Sequence, residues 1–414
     1  MGSFFSTPYR LYKTFNPPYA PPLPSSKPVR FGVLGAAAIA PIAFISPAKN
    51  HAEAVVLAVA ARDKGRAEVF AKKYGIPKAY GGKDGYQDML NDPEIDAVYN
   101  PLPNGLHFEW TMKALAAGKH VLLEKPSADT ADETRQMYEY AEKKGLVLLE
   151  AFHYRFHPAI QRVKAILDSG ELGAIKGLEA RLAIPRGAMK DDDIRFDLSL
   201  GGGALMDMGC YTMNCIRYLS GANPTSVIHA SAEQHVPSSN DASLRTAAVN
   251  VDRSTTATFA IPAPSGSSDI TATIFCDLSM PPTFGVIPKI PQVSAKVVCE
   301  GGEVELYNFP LPTLYHSLTV RKRGAGGRVE KRVEKVYTFG SGSGSEGATP
   351  KGEVWWTTYR YQLEAFIDKL KGRTPQTWLD KEDAVSNIEW IEKVYKETGL
   401  GSRPKSTYVP GALS

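Results

Sequence analysis

The sequence predicts two joined sheet domains: an N-terminal doubly wound α/β domain, and a C-terminal α+β domain built on an open-faced, mainly antiparallel sheet. Three observations predict this. Between residues 29 and 152, short apolar runs alternate with amphipathic stretches, the pattern of a parallel sheet with crossover helices. From residue 177 onward, strand-like runs mostly follow one another without helices between them, which predicts antiparallel pairing. A turn at residues 35–40 joins the first apolar run to the first amphipathic stretch, where a parallel sheet presents a phosphate-binding helix start. The implied boundaries are an arm over 1–28, a first domain over 29–152 and a second over 153–414.

The elements follow in order. The arm holds Pro17, Pro18, Pro21, Pro22, Pro24 and Pro28 among aromatic residues, so it reads as extended rather than helical. Its aromatics predict contact with a neighbouring subunit; the alternative is a disordered tail. Strands are predicted at 29–34, 54–60, 78–80, 97–99, 120–123 and 147–149, and helices at 39–49, 64–74, 86–90, 107–117 and 131–144. Gly75, Gly118 and Gly145 supply helix stops. In the second half a helix at 158–167 precedes strands at 177–184, 226–236, 247–251, 255–259, 271–277, 292–300, 302–309 and 317–322. A helix from Gly203 interrupts them, a Gly/Ser-rich loop spans 339–347, and helices at 355–371 and 381–398 close the chain.

Composition narrows the function classes. The 414 residues are 43% hydrophobic and 22% charged, with a net charge of +4, ordinary for a globular protein with a sizeable core. Lys and Arg are dispersed, without the basic stripe that nucleic-acid binding requires. Cys210, Cys215, Cys276 and Cys299 form no metal-ligand or redox spacing, and read as reduced, buried thiols. No apolar run is long enough to span a membrane, and no secretory leader is evident. These features predict a cytoplasmic protein. Met1-Gly2-Ser3-Phe4-Phe5-Ser6 fits the loose N-myristoylation pattern, which chance matches often satisfy.

The turn reads Gly35-Ala36-Ala37-Ala38-Ile39-Ala40, a variant of the dinucleotide fingerprint G-x-G-x-x-G/A. Gly35 permits the tight turn and Ala40 the close helix–strand contact, while Ala37 replaces the middle glycine and should shift the pyrophosphate or the turn. The second strand ends at Arg62-Asp63. An Arg there accommodates the 2′-phosphate of NADP, whereas an acidic residue binds the 2′-hydroxyl of NAD. Arg62 favours NADP; Asp63 keeps NAD open. Asn104 and His107, at a strand end and helix start, lie on the ligand-binding side of an α/β sheet; the alternative for His107 is a helix-end residue packed on the sheet.

Ala117-Gly118-Lys119-His120-Val121-Leu122-Leu123-Glu124-Lys125-Pro126 resembles the Gfo/Idh/MocA oxidoreductase family, as do segments 99–107, 150–158 and 201–211. The resemblance covers about residues 30–400 and runs to NADP-dependent D-xylose dehydrogenases, dimeric dihydrodiol dehydrogenases and glucose-fructose oxidoreductase. It implies a Rossmann domain joined to an open antiparallel sheet, with Leu102, Asn104, His107, Glu124 and Lys125 at the cofactor. It also implies a cis bond before Pro126, which aims Lys125 into the cleft, and a homo-oligomer, dimer or tetramer. Arg155 faces either the nicotinamide or an interdomain ion pair. Many relatives carry Asp-x-x-x-His where this chain has Asp207-Met208-Gly209-Cys210-Tyr211; the Tyr is shared with the sugar and dihydrodiol enzymes.

Asp207 and Tyr211 are four apart on a predicted helix and so share a face. Oxidising an alcohol needs a base, and a phenol titrating near ~10 needs a neighbouring cation to serve. Lys125 is the expected cation, Tyr211 the general acid/base and Asp207 a partner for Lys125 or a substrate hydroxyl, so Lys125, Asp207 and Tyr211 form the catalytic and substrate-binding set. The triple glycine Gly201-Gly202-Gly203 is expected to let the backbone approach the substrate. His153 and His157 lack a carboxylate spaced to complete a metal site, so no metal is expected. The expected reaction is oxidation at C1 of an aldopyranose such as D-xylose to the lactone, or of a cyclic diol. The rivals are a non-catalytic NADP-binding transcriptional co-regulator and an enzyme of secondary metabolism. Specificity is expected in loops 186–196 and 262–288.

Overall fold

In the computed structural model, residues 6–22, 27–238, 241–263, 269–339 and 352–411 are described. The myristoylation pattern therefore lies outside the described residues except for Ser6, as do the glycine/serine-rich segment beyond residue 339 and residues 264–268 of the second specificity loop.

The first departure from expectation is the arm. Ser6–Phe15 is helical (α1), because the prolines that break helices begin at Pro17, and Pro8 sits in the first turn, where a missing N–H costs nothing. Arg10 and Thr14, four apart, form the buried face. Arg10 donates to the Thr313 and Leu314 carbonyls and stacks on Tyr337 at 4.1 Å. Thr14 Oγ1 donates to the Trp355 carbonyl at 3.2 Å. The arm thus docks on the second half of its own chain, leaving Tyr9, Tyr12 and Phe15 exposed.

Six parallel strands follow: β1 (Val29–Leu34), β2 (Ala54–Ala61), β3 (Lys78–Gly81), β4 (Ala97–Asn100), β5 (His120–Leu123) and β6 (Leu148–Glu150). Their order is β3-β2-β1-β4-β5-β6, the doubly wound topology with its switch point between β1 and β4. The central strands are almost wholly buried, which is why they read as apolar runs rather than alternations. Crossovers are α2 (Ser46–Lys49), α3 (Lys64–Tyr74), α4 (Gly85–Asn91), α5 (His107–Ala116) and α6 (Ala131–Lys144).

The second half begins with α7 (Pro158–Asp168) and β7 (Ile175–Pro185), then α8 (Cys210–Ser220) and β8 (Ser226–Gln234). After α9 (Ala242–Ala247) come β9 (Asp252–Ile261), β10 (Ile270–Met280), β11 (Gln292–Cys299), β12 (Gly302–Tyr307), β13 (Ser317–Arg323) and β14 (Val329–Glu334). The sheet order is β14-β13-β12-β11-β7-β10-β9-β8. All pairs are antiparallel except β7 with β10. Residues 247–251, expected as a strand, instead end α9 and turn: Asp241 caps that helix through the Ser243 N–H at 2.8 Å, and Asn250 adopts a φ of 62°. β14 was not expected, because its alternating charges carry no apolar signal; they suit an exposed edge.

Inward residues of β9 such as Ala257, Phe259 and Ile261 are buried beneath α8 and α11 (Lys381–Glu397), with Phe259 edge-on to Trp390 at 6.0 Å. Helix α10 (Thr358–Leu370) returns to lie against α2 and residues 153–156, the turn after β6. All four cysteines are buried and free.

Candidate active site

The ends of β1, β4, β5 and β6 meet the start of α8 and the start of α10 around a cavity of about 300 Å³. Ile39, Leu102, Lys125, Asp207, Tyr211 and Arg195 are among its walls. This is the carboxyl end of a parallel sheet at its switch point, where α/β domains bind ligands.

The turn after β1 has the backbone expected of Gly35. Gly35 takes a φ of 92°, closed to side chains, and its N–H donates to the Ala60 carbonyl at 2.8 Å. A Cβ at Gly35 would come within 3.1 Å of Leu102 Cδ2. Ala36, Ala37, Ala38 and Ile39 lie partly or fully exposed in the turn, and the helix that follows opens with a wide π turn, Pro41–Ile45. At the end of β2, Arg62 is exposed, whereas the Asp63 carboxylate accepts the Arg66 N–H at 2.6 Å and caps α3. Arg66 Nη2 reaches back to the Ala36 carbonyl at 3.2 Å. Two guanidinium-bearing side chains, Arg62 and Arg66, thus stand at the end of β2 and the start of α3, with Arg66 reaching the turn after β1.

Lys125 precedes Pro126 through a cis bond, as the family pattern implies. Its ammonium donates to Asp207 Oδ1 at 2.8 Å and to the Asp207 carbonyl at 3.0 Å. Arg195 Nε donates to Asp207 Oδ2 at 2.9 Å. Burial alone would raise the Asp207 carboxyl, but Lys125 and Arg195 outweigh it and hold the group well below the ordinary range. Burial would likewise lower Lys125, yet Asp207 keeps its ammonium above the ordinary value. The two ionise as a pair.

Asp207 lies in a π turn, Leu205–Gly209, and Tyr211 in the first turn of α8; both face the cavity. The Lys125 ammonium sits 5.0 Å from the centre of the Tyr211 ring. It does not lower the phenol as expected. Burial dominates, with Tyr359, Glu124, Cys210 and Asp207 adding to it, and the Tyr211 hydroxyl is held well above its ordinary range. The hydroxyl instead shares a 2.8 Å hydrogen bond with His153 Nε2.

The triple glycine is explained differently from expectation. A Cβ at Gly202 would lie 2.7 Å from the Arg195 carbonyl oxygen, and one at Gly203 would lie 2.2 Å from Asp252 Oδ1. The protein's own groups press on this segment, so close packing, rather than substrate approach alone, accounts for the residues.

Other expected cofactor residues are distributed unevenly. Leu102 and Glu124 line the cavity; Glu124 is buried, accepts from the Tyr99 hydroxyl at 2.6 Å and is raised by burial. Asn104 lines it too, but its Nδ2 donates to the Gly201 carbonyl at 3.0 Å and so joins the two halves. His107 does not line the cavity: its ring nitrogens lie 2.7 and 2.8 Å from the Leu102 and Pro126 carbonyls, beneath both loops. Burial pushes it down to about 4, so the neutral ring donates to one of these two carbonyls at a time. Arg155 also lies elsewhere, paired with Asp383 at 2.8 Å and stacked on Tyr218 at 3.7 Å; the ion-pair alternative holds. Arg217 binds the same Asp383 at 2.9 Å.

Arg195, Arg66, His153 and Tyr359 are the residues that sequence reasoning missed as site components. Arg195 falls in the expected specificity loop, and Arg66 lies one helical turn from Arg62. No local signal points to Tyr359, which enters from α10.

Behind Lys125, Glu150 at the end of β6 accepts the Ser127 N–H at 2.7 Å, and burial raises it to about 8 from an ordinary 4.5. The folded protein therefore binds a proton there that the unfolded chain has lost. This contribution is complete below about 4.5, falls through the window and is gone above about 8, on the order of a few kcal/mol. Glu150→Gln should remove that decline. The Tm difference between variant and wild type should grow in the variant's favour from mildly acidic to alkaline pH; a pH-independent difference would show that Glu150 is already ionised.

Comparison with known proteins supplies the family frame. Residues 29–152 match the profile described as "Oxidoreductase family, NAD-binding Rossmann fold", and residues 160–305 match "GFO/IDH/MocA C-terminal domain". D-xylose 1-dehydrogenase (NADP(+)) 2 of Haloferax volcanii is 44% identical over 193 residues, 46% of this chain and 57% of that protein. A dTDP-3,4-didehydro-2,6-dideoxy-alpha-D-glucose 3-reductase of Saccharopolyspora spinosa is 41% identical over 217 residues, 52% of this chain and 63% of that protein. The matches thus span less than two thirds of these relatives. A 3-ketoreductase from Actinomadura kijaniata, solved with TDP-benzene and NADP, superposes over 90% of this chain and 98% of its own. Its TM-score is 0.70 and its identity 24%, a likeness of fold.

Proposed function

Because the chain belongs to the Gfo/Idh/MocA oxidoreductase family, we propose that it is an NADP-dependent dehydrogenase or reductase acting on a CH–OH group of a sugar. The substrate we propose is an aldopyranose such as D-xylose, oxidised at C1 to the lactone. The observation that carries this reading is the meeting of Lys125, Asp207 and Tyr211 in the cavity that Ile39 and Leu102 also line.

The residues present fit the cofactor. Gly35 leaves the turn open for a pyrophosphate, Arg62 and Arg66 supply cations for a 2′-phosphate, and Asp63 is engaged as a helix cap. NAD is correspondingly disfavoured. When bound, the nicotinamide supplies or takes up the hydride. Lys125, held charged by Asp207, orients hydroxyls and favours negative charge developing on the reacting oxygen. Arg195 fixes the second Asp207 oxygen, so the carboxylate cannot swing away. Tyr211 carries a firmly held proton at the cavity wall and exchanges it with the substrate oxygen. Asp207, Arg195 and Asn104 give the cavity the polar lining that a polyol requires.

The test is NADPH absorbance during incubation with a panel of aldoses and cyclic diols. Turnover of an aldose with NADP is the expected outcome. Tight NADP binding without turnover of any member would overturn the enzyme reading in favour of the co-regulator, and a tenfold preference for NAD in kcat/KM would overturn the cofactor assignment.

A further inference from the structure

Tyr211 presents a chemical difficulty that its surroundings resolve. Its buried phenol is a poor site for a negative charge, yet it must gain and lose protons on every turnover. The phenol oxygen lies 2.8 Å from His153 Nε2, and His153 Nδ1 lies 2.8 Å from Thr358 Oγ1. His153 is almost fully buried, follows β6, and packs at a tilt against Tyr359 with ring centres 4.0 Å apart. Thr358, the first residue of α10, also lines a second cavity of about 300 Å³ between α1, α2 and the 311–314 loop. Leu311 and Tyr359 are walls of both cavities.

We propose that Tyr211, His153 and Thr358 form a proton relay leading from the reaction cavity to the second, solvent-open cavity. The inference rests on the reading of Tyr211 as the group that exchanges a proton with substrate. In the oxidative direction the substrate O–H bond breaks and its proton bonds to the Tyr211 oxygen as hydride leaves the carbon. The Tyr211 proton passes to His153 Nε2, the Nδ1 proton passes to Thr358 Oγ1, and the Thr358 proton passes to water in the second cavity. One proton leaves for solvent, and each relay group ends neutral, His153 having exchanged one tautomer for the other; between oxidations, with the cleft empty, the same chain running inward from the second cavity to water in the reaction cavity restores the first tautomer. Reduction runs the same chain inward. No imidazolium is needed, which agrees with burial and the nearby Lys125 pushing His153 down to about 3. The relay lets the proton reach solvent while cofactor and substrate fill the reaction cavity. His153 and Thr358 act through Tyr211 and are positioning residues.

The test has two arms on the full-length protein. The first is nitrogen-15 NMR of the histidine rings in the NADP-loaded protein. His153 should stay neutral from mildly acidic to alkaline pH, and Thr358→Val, which keeps the side-chain volume, should shift its tautomer balance. Titration of His153 as an ordinary imidazole, or a tautomer balance indifferent to Thr358→Val, would overturn the relay. The second arm is kinetic, with D-xylose and NADP or the best substrate of the panel. His153→Gln keeps a hydrogen bond to Tyr211 but cannot exchange tautomers, and should lower kcat by about 10² at unchanged KM. Thr358→Val should lower kcat less and straighten the dependence of rate on solvent deuterium fraction. Wild-type kcat and isotope dependence in both variants, with Tyr211→Phe inactive, would reject the relay and leave the hydride-transfer reading standing. If no aldose or diol turns over, that reading fails separately and the NMR arm still decides the relay.

Discussion

Replacing Tyr211 with Phe is expected to lower kcat by about 10²–10⁴, with little change in NADP binding. The ring's packing survives the exchange: Phe152 and Tyr154 contact it at centroid distances of 5.6 and 5.9 Å, and neither contact uses the hydroxyl. What is lost is the oxygen that, in the proposed reaction, takes the substrate proton. The variant also leaves His153 Nε2 without its partner in a buried site, so a stability loss of about 1–3 kcal/mol should accompany the kinetic one. The two effects separate experimentally, since fluorescence titration with NADP and a thermal melt report fold and cofactor site, whereas kcat reports the hydroxyl. Lys125→Ala should be comparably slow but less stable, because it strands the buried Asp207 carboxylate with Arg195 as its remaining cationic partner. Near-normal turnover by Tyr211→Phe would remove Tyr211 from the mechanism.

The second large effect concerns cofactor choice. Arg62→Ala and Arg66→Ala are each expected to raise KM for NADP roughly 10–100-fold, the range of a charge-assisted hydrogen bond, while leaving KM for NAD nearly unchanged. The double variant should reverse the preference. Asp63 offers no rescue as a ribose partner while it caps α3 through the Arg66 N–H. Parallel kcat/KM measurements with both cofactors check this; equal losses with NADP and NAD would mean that the two arginines only support the turn.

Much of the first half was legible because burial on both sheet faces writes continuous apolar strands, and because a parallel sheet fixes where its ligand turn lies. Lys125, Asp207 and Tyr211 were legible as motifs, though not the ion pair that binds the first two, which depends on residues 82 apart meeting. The failures have physical causes. Prolines dominated the reading of the arm and hid the short helix before them. Charged alternation hid β14, whose stabilisation is backbone pairing with β13. Segment 247–251 has strand-like composition, but the cap at Asp241 and the turn at Asn250 decide its shape. His107 and Arg155 occupy the right stretches of chain and face the wrong way, because side-chain direction is set by tertiary partners. Arg195, His153 and Tyr359 meet only when the second domain and α10 close over the sheet.

The Asp207 carboxylate has a mechanical consequence. It holds Lys125, which follows β5 of the parallel-sheet half, from the second half of the chain, where Arg195 binds its other oxygen. A hinge rotation separating the halves would have to strand a largely buried charge, at a cost of about 3–5 kcal/mol. Such an open form would be populated in roughly one molecule in 10²–10⁴. The cleft is therefore a fixed frame, and traffic through it belongs to the local segment around Arg195, whose contacts with Asp193 and Asp207 are partly exposed. New substrates can then be accommodated by changing a short surface stretch while the distance between the reacting groups stays constant.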